Sequence, residues 1–165
     1  MSRGLGDVYK RQVLKRAFLF SCLTGLRKSD IQKLTWGEVQ KFGKYTRIVF
    51  KQRKTKGQEY LDISSQAEKY LGERGNPDDI VFTGFTYGSW TSLELQRWSL
   101  AAGVNKNLTF HCARHTFAVL MLDLGADIYT VSKLLGHRFL TTTQIYAKVL
   151  DKNKQNAVSL IPDIG

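Results

Sequence analysis

The sequence contains little cysteine and proline and no long apolar segment. Only 2 Cys and 2 Pro occur among the 165 residues, which excludes a small secreted fold held by disulfides and favours a reducing, cytoplasmic compartment. Basic or turn residues interrupt every apolar run before it reaches the ~18 residues that a membrane-spanning helix needs. We therefore expect no membrane segment. Internal repeats and low-complexity stretches are also missing, so repeat and collagen-like architectures are excluded.

Acidic residues are scarce in the first third of the chain. The sequence has 25 Lys and Arg against 14 Asp and Glu, a formal net charge of +11, while a hydrophobic fraction of 42 % suffices for one folded domain. Residues 1–60 hold 15 basic and 4 acidic side chains, and residues 61–165 hold 10 of each. An excess this localised is typical of a chain that binds nucleic acid. A solvated basic surface and contact with anionic lipid remain alternatives.

The first residues differ from the rest of the chain. Residues 1–12 contain Gly4 and Gly6 and no apolar period, so we expect a disordered lead or an artefact outside the fold. Apolar residues then recur at helical spacing over residues 13–24, and Gly25 is positioned to end that helix.

The middle of the chain predicts a β-hairpin between helices. Tyr45 to Phe50 and Tyr60 to Ile63 read as strands around a turn at Lys56-Gly57, and the hairpin is strongly basic. Helices are predicted on both sides of it and throughout the second half, over residues 29–34, 65–71, 90–102, 109–124, 127–135 and 141–150.

The helix from Thr109 to Leu124 carries the first candidate site. Its apolar residues follow the spacing of a buried stripe, namely Ala113, Phe117, Leu120, Met121 and Leu124. His111 and Arg114 fall on the adjoining face, where a guanidinium beside an imidazole suits a phosphate oxygen. Two solvated polar residues at a helix start are the alternative. Because Arg114 points off the stripe, we expect its replacement to leave folding nearly intact.

Two other kinds of site, a zinc site and a nucleophilic cysteine, are also conceivable on this helix. His111 and His115 stand at i and i+4, a spacing used by zinc ligands, but Arg114 would repel the cation and no third ligand follows. A nucleophilic Cys112 beside His111 is disfavoured because neighbouring helix residues diverge by ~100°. We therefore expect no metal site and interpret Cys112 as a packing residue.

A second candidate site lies near the C-terminus. Leu134-Leu135-Gly136-His137 ends one helix, and Tyr146 follows His137 by nine residues. A tight turn at Gly136 could bring His137 and Tyr146 to one pocket. Taken singly, a histidine after a glycine cap and a tyrosine at helical spacing are ordinary structural residues.

Together these motifs resemble the catalytic domain of the tyrosine recombinase, or phage integrase, family. Their order and spacing match from about Val13 to the C-terminus, in the series Thr24-Gly25-Leu26-Arg27-Lys28-Ser29-Asp30, the basic hairpin with Lys54, His111-x-x-Arg114, Leu135-Gly136-His137 and Tyr146. The resemblance implies an α+β fold, mainly α-helical with a small antiparallel β-sheet, formed by residues 13–165 as one catalytic domain.

The resemblance also implies a mechanism without metal or cofactor. Tyr146 would attack a DNA phosphodiester and form a 3′-phosphotyrosine, with Arg27 and Arg114 clamping the phosphate. His111 would accept or orient the tyrosine proton, and His137 would donate to a non-bridging oxygen. Lys54, with Lys56 as second choice, would protonate the leaving 5′ oxygen. Asp30 would hold the Arg27 guanidinium, or another member of the site, in place as a supporting residue.

The remaining basic residues of the hairpin region are predicted to bind DNA. They would contact backbone phosphates without reading sequence, and they comprise Lys41, Lys44, Arg47, Lys51, Arg53 and Lys56. For any one of them, a solvated strand face is the alternative interpretation.

The expected partner is double-stranded DNA carrying a recombination site. An N-terminal core-binding domain, usual in the family, is expected to be absent, so we expect a catalytic fragment with weak, salt-sensitive DNA binding. Residues 147–161 would pack on a neighbouring subunit in a homotetramer on DNA, at the bacterial nucleoid. A type IB topoisomerase-like enzyme and a catalytically inactive, truncated DNA-binding module are the alternative functions.

Overall fold

The computed structural model describes residues 3–51, 58–137 and 140–163. The chain divides into two compact units, Met1–Arg114 and His115–Gly165. Among the helices of the described ranges, none is both long enough and apolar enough to span a membrane. The predicted fold class is confirmed, because the described residues are mainly helical and include one small antiparallel sheet.

The first unit is built around a long N-terminal helix. Its helices are α1 (Arg3–Thr24), α2 (Lys28–Lys33), α3 (Ser65–Glu68), α4 (Ser89–Ala101) and the first turn of α5 (His111–Asp123). One face of α1 is buried, with Val13, Leu14, Ala17 and Phe20 at the i, i+1, i+4, i+7 spacing of a core stripe. The ring of Phe20 lies 5.2 Å from that of Phe82.

Helix α1 begins ten residues earlier than the sequence pattern predicts. The expectation of a disordered lead over residues 1–12 is therefore wrong for residues 3–12, which are helical. Once the apolar stripe has nucleated a helix, each added residue gains a backbone hydrogen bond at low cost. Side-chain contacts also hold this segment, because Arg11 Nε lies 3.0 Å from the buried Glu94 carboxylate and the Tyr9 hydroxyl donates to the Thr83 carbonyl.

The sheet of the first unit has three antiparallel strands in sequential order. They are β1 (Val39–Phe42), β2 (Tyr45–Lys51) and β3 (Gln58–Ile63). In the register, Ile48 of β2 pairs with Val39 of β1 and with Leu61 of β3, and all three side chains are buried. The two predicted strands are confirmed. Strand β1 was not predicted because its Gln and Lys residues interrupt a run of only four, and the predicted turn at Lys56-Gly57 lies outside the described residues.

The second unit is built on the rest of α5, on α6 (Ile128–Leu134) and on α7 (Ala147–Ser159). Its core is formed by Phe117, Ala118, Leu122, Val131 and Leu135. The predicted stripe of α5 is wrong in part, because Leu120 is 39 % exposed and Leu124 is 73 % exposed, whereas Ala118 and Leu122 are fully buried. The buried face is thus rotated toward positions 118 and 122.

The predicted helix over residues 141–150 is also corrected. Two 3₁₀ turns, Leu140–Thr142 and Gln144–Tyr146, occupy the first part of that range, and α7 begins only at Ala147 and continues to Ser159. Tyr146 therefore stands at the N-cap position of α7, where backbone geometry is set by the turn before it.

Candidate active site

Arg27 is positioned by the chain reversal at Gly25. Gly25 has a φ of +73° and its amide donates to the Ser21 carbonyl at 2.8 Å, which ends α1 in the left-handed conformation that glycine favours. The buried Ser21 hydroxyl then donates to the Leu26 carbonyl at 2.7 Å. Arg27 follows as the N-cap residue of α2 with an exposed side chain. The motif thus presents a guanidinium at the surface.

A surface pocket of about 290 Å³ in the first unit brings three predicted catalytic residues together. Arg27, His111 and Arg114 all line it. Lys28 and Tyr87 line it as well, with the Lys28 ammonium 4.3 Å from the centre of the Tyr87 ring. Two arginines and a lysine among its lining residues make this pocket suited to an anion such as a phosphate.

Arg114 is buried, contrary to expectation. Its side chain is only 6 % exposed, and Nη1 donates to the Gly25 carbonyl at 2.7 Å. The predicted placement off the apolar face is therefore wrong, because the buried face of α5 includes position 114. The same guanidinium that lines the pocket also ties α5 to the loop that carries Arg27.

His137 is positioned by the end of α6. Gly136 has a φ of +64°, its amide donates to the Lys133 carbonyl, and the His137 amide donates to the Ser132 carbonyl at 3.0 Å. These two bonds form a Schellman cap, as the Gly-His motif predicts. The half-buried imidazole reaches the Thr143 hydroxyl, with Nδ1 at 2.7 Å from Oγ1.

Tyr146 is held by a histidine that the sequence did not assign to it. A hydrogen bond joins the Tyr146 hydroxyl to Nδ1 of His115, and the two ring centres are 5.6 Å apart. The Tyr146 ring also packs against the core of the second unit. The spacing of His111 and His115 in the sequence indicated His115 only as a possible metal ligand. It lies at i−3 from Ala118 and i−7 from Leu122, so a polar residue on the true apolar stripe was the available signal.

The support predicted for Arg27 is not observed. Asp30 lies in the first turn of α2, and its amide donates to the Arg27 carbonyl at 3.0 Å. Among the residues that the structure describes, no ion pair joins the Asp30 carboxylate to Arg27. A carboxylate in the first turn of a helix interacts favourably with the helix dipole instead.

Several predicted residues fall on the hairpin tip. Arg53, Lys54 and Lys56 lie outside the described residues, as does the side chain of Lys51. The choice between Lys54 and Lys56 as the general acid therefore stays a prediction.

The basic residues on the body of the sheet are partly neutralised within the fold. Lys41 forms an ion pair with Glu68 and donates to Thr46 at 2.8 Å. Lys44 lies 5.3 Å from the ring centre of its neighbour Tyr45. Glu68 lies outside the basic segment, so counting charges along the chain did not reveal this pairing.

Arg47 is held most firmly of these cations. Its Nε and Nη2 donate to the Asp62 carboxylate at 2.6 and 2.9 Å, and its guanidinium lies about 4 Å from the ring centres of Phe42 and Tyr60. The hydrogen bonds from Arg47 hold the pKa of Asp62 below its ordinary value. Arg47 thus stabilises the sheet surface, with Asp62 directly opposite it in the register.

The family is established by comparison with known proteins. The profile of the phage integrase family matches residues 8–153. The chain therefore belongs to the phage integrase family, the class that the Gly25–Asp30 loop, the His111-x-x-Arg114 pair and Tyr146 indicate.

The chain is similar in sequence to individual tyrosine recombinases. The chain is 31 % identical over 148 residues to the tyrosine recombinase XerC of Haemophilus influenzae (strain PittEE), covering 85 % of this chain and 49 % of that protein. It is 33 % identical over 140 residues to the tyrosine recombinase XerD of Oceanobacillus iheyensis (strain DSM 14371 / CIP 107618 / JCM 11309 / KCTC 3954 / HTE831), covering 76 % of this chain and 46 % of that protein. The chain thus spans about half the length of the curated relatives it matches.

Solved structures share the fold. The XerH site-specific recombinase bound to its difH substrate superposes with a TM-score of 0.68 at 20 % identity, covering 97 % of this chain and 47 % of that one. The catalytic domain of bacteriophage HP1 integrase superposes with a TM-score of 0.59 at 22 % identity, covering 95 % and 94 %. The fold is therefore that of tyrosine recombinase catalytic domains.

Proposed function

We propose that the chain is the catalytic domain of a site-specific DNA recombinase, which cleaves and rejoins strands through a 3′-phosphotyrosine at Tyr146. The observation that carries the proposal is the pocket where Arg27, His111 and Arg114 meet. Two arginines lining one pocket match the need to stabilise charge on a phosphorane without a metal ion. The named relatives are tyrosine recombinases, which supports the same chemistry here.

The cleavage step assigns a task to each of these groups. Arg27 and Arg114 bind non-bridging oxygens of the scissile phosphate, and His137 donates a further hydrogen bond. The Tyr146 oxygen forms a bond to phosphorus while the bond from phosphorus to the 5′ oxygen breaks, and Lys54 gives a proton to that oxygen. The new phosphotyrosine is again a phosphodiester, so a 5′-hydroxyl from another strand reverses the step with no nucleotide cofactor.

The proposed partners are duplex DNA and further copies of the recombinase. The basic hairpin region, with Lys44 exposed beside it, contributes phosphate contacts that weaken with salt. Apolar side chains are exposed at the C-terminal end, at Val158, Leu160 and Ile161. They support a subunit contact in a homotetramer on DNA. A DNA substrate agrees with an activity in the bacterial cytoplasm, at the nucleoid.

The test is covalent capture on DNA. The chain is incubated with duplexes randomised over their central sequence and nicked next to the scissile position, so that the short cleaved product diffuses away and the adduct persists. Adducts are recovered under denaturing conditions and their DNA is sequenced. We expect a recovered consensus and complete loss of adduct in Tyr146→Phe.

Tyr129→Phe is the matched control, because Tyr129 is an exposed tyrosine of the second unit whose ring has a described contact with the Lys133 ammonium. It should form adduct at the wild-type rate. DNA binding without any adduct in the wild-type chain would refute the proposal in favour of an inactive DNA-binding module. Relaxation of supercoiled plasmid by the chain alone would instead indicate topoisomerase-like activity.

A further inference from the structure

We infer that His115 holds the Tyr146 phenol and accepts its proton during cleavage, a role that rests on the proposed function and deepens it. The resemblance to the family implies that His111, which lines the pocket of the first unit, accepts or orients this proton. In the second unit, the Tyr146 phenol is hydrogen-bonded to Nδ1 of His115. His111 is then assigned to the phosphate.

The contact has the geometry of a proton-transfer pair. Nδ1 of His115 and the Tyr146 oxygen are hydrogen-bonded, and the rings meet edge to face with an interplanar angle of 63°. A general base must lie within hydrogen-bond reach of the proton that it takes. His115 meets this condition.

Packing fixes both partners of this bond. His115 is half-buried on α5, one helical turn before Ala118 and two before Leu122 of the core. On the other side, the Tyr146 amide donates to the Thr143 carbonyl at 3.1 Å, and the fully buried Thr143 also bonds to His137. The nucleophile is therefore held at its ring and at its backbone, which reduces the entropy lost on reaching the attacking geometry.

The chemistry requires such a base. A phenol keeps its proton at neutral pH, and its oxygen is a far better nucleophile once the proton leaves. With the ring hydrogen on Nε2, Nδ1 of His115 accepts the hydrogen bond from the phenol. As the bond from oxygen to phosphorus forms, the phenol proton passes to Nδ1. In the reverse step the departing tyrosine oxygen takes that proton back, so the cycle balances.

The first test compares two replacements of His115. Asn places its amide oxygen near the position of imidazole Nδ1, so His115→Asn keeps a hydrogen-bond acceptor that takes up no proton, whereas His115→Phe keeps only the ring. Single-turnover adduct formation is measured with a nicked duplex recovered in the capture experiment, at saturating protein. We expect both variants to react about 100-fold more slowly or worse, since general base catalysis contributes about 10²–10⁴-fold. DNA affinity and thermal stability of His115→Asn should stay near wild type.

Val119→Ala is the control on the same helix, one turn further along and partly exposed, and it should react at the wild-type rate. A His115→Asn chain that forms adduct within threefold of wild type would overturn the proton-accepting role. A wild-type chain that forms no adduct would refute the proposed function itself, so the two failures are distinguishable.

The second test separates the nucleophile from the leaving group. A duplex with sulfur in place of the bridging 5′ oxygen carries a leaving group that departs without a proton. The defect of His115→Asn should persist on this substrate, whereas the defect of Lys54→Ala should largely disappear. Rescue of His115→Asn by sulfur would place His115 at the leaving group and contradict the inference.

A third measurement is independent of activity. The chain has only 3 His, so their ring nitrogens are resolvable by ¹⁵N NMR. Tyr146→Phe should shift the Nδ1 signal of His115, whereas Tyr129→Phe should leave it unchanged. A His115 signal that ignores Tyr146→Phe would show that the hydrogen bond does not exist in solution.

Discussion

Removing either arginine of the pocket should abolish cleavage, but only one removal should weaken the fold. Arg114 is buried and donates to the Gly25 carbonyl at 2.7 Å, whereas Arg27 is exposed at the start of α2. The matched changes are Arg114→Met and Arg27→Met, since methionine keeps much of the side-chain length and removes the charge and the donors.

The expected loss of stability in Arg114→Met follows from the buried Gly25 carbonyl, which loses its hydrogen bond from Arg114. An unsatisfied buried acceptor costs about 1–3 kcal/mol. A substitution at an exposed position such as Arg27 changes stability by no more than about 0.5 kcal/mol. With about 2 kcal/mol lost and an m-value of about 2 kcal/mol per M, the urea midpoint of Arg114→Met should fall by about 1 M.

Tryptophan fluorescence during urea unfolding is the appropriate assay. Trp36, Trp90 and Trp98 all lie in the first unit, so the signal reports the unit that contains Arg114. Equal midpoints for Arg114→Met and Arg27→Met, or a larger loss in Arg27→Met, would refute the structural role assigned to Arg114.

Further predictions concern three ionisable groups. Burial, with a smaller effect of Cys112, raises the pKa of Cys22 from 9.0 to about 11. At pH 8, iodoacetamide should therefore modify Cys22 about 100-fold more slowly in the folded chain than in urea, as measured by mass spectrometry. Equal rates would contradict the burial of Cys22. Hydrogen bonds from Thr130 lower the pKa of Asp127, so the ionised carboxylate stabilises the fold above its ordinary pKa of 3.8, and this stabilisation is lost as the pH falls through the pKa of the folded chain. The difference in Tm between wild type and Asp127→Ala should therefore shrink in acid. A Tm difference that does not change with pH would contradict this prediction. Asp62→Asn should free Arg47 for phosphate and steepen the salt dependence of DNA binding by about one charge; an unchanged slope would show that Arg47 does not meet DNA.

Local signals in the sequence predicted much of the second half correctly. Asp127 caps α6 by accepting from the Thr130 amide, and Gly136 ends it, as their residue types predict. Such caps depend on three or four neighbouring residues, so the sequence contains all the information. The choice of buried face on α5 is different, because apolar residues occur on more than one of its faces and only the packing partners decide which face is covered.

The sequence motifs named three residues that share a pocket, but they did not predict the contacts of the site. The motifs identified Arg27, His111 and Arg114, which do share a pocket. They did not reveal that Arg114 is buried or that His115 binds Tyr146, since both facts depend on segments distant in sequence. Long-range ion pairs such as that of Lys41 with Glu68 are invisible to a local count of charges for the same reason.

Identifying the residue that carries DNA after cleavage tests directly whether Tyr146 is the nucleophile. The trapped adduct is digested with protease and nuclease, and the nucleotide-bearing peptide is sequenced by tandem mass spectrometry. We predict a 3′-linked nucleotide on Tyr146 and on no other residue. A nucleotide on a different side chain, or linked through its 5′-phosphate, would contradict the mechanism.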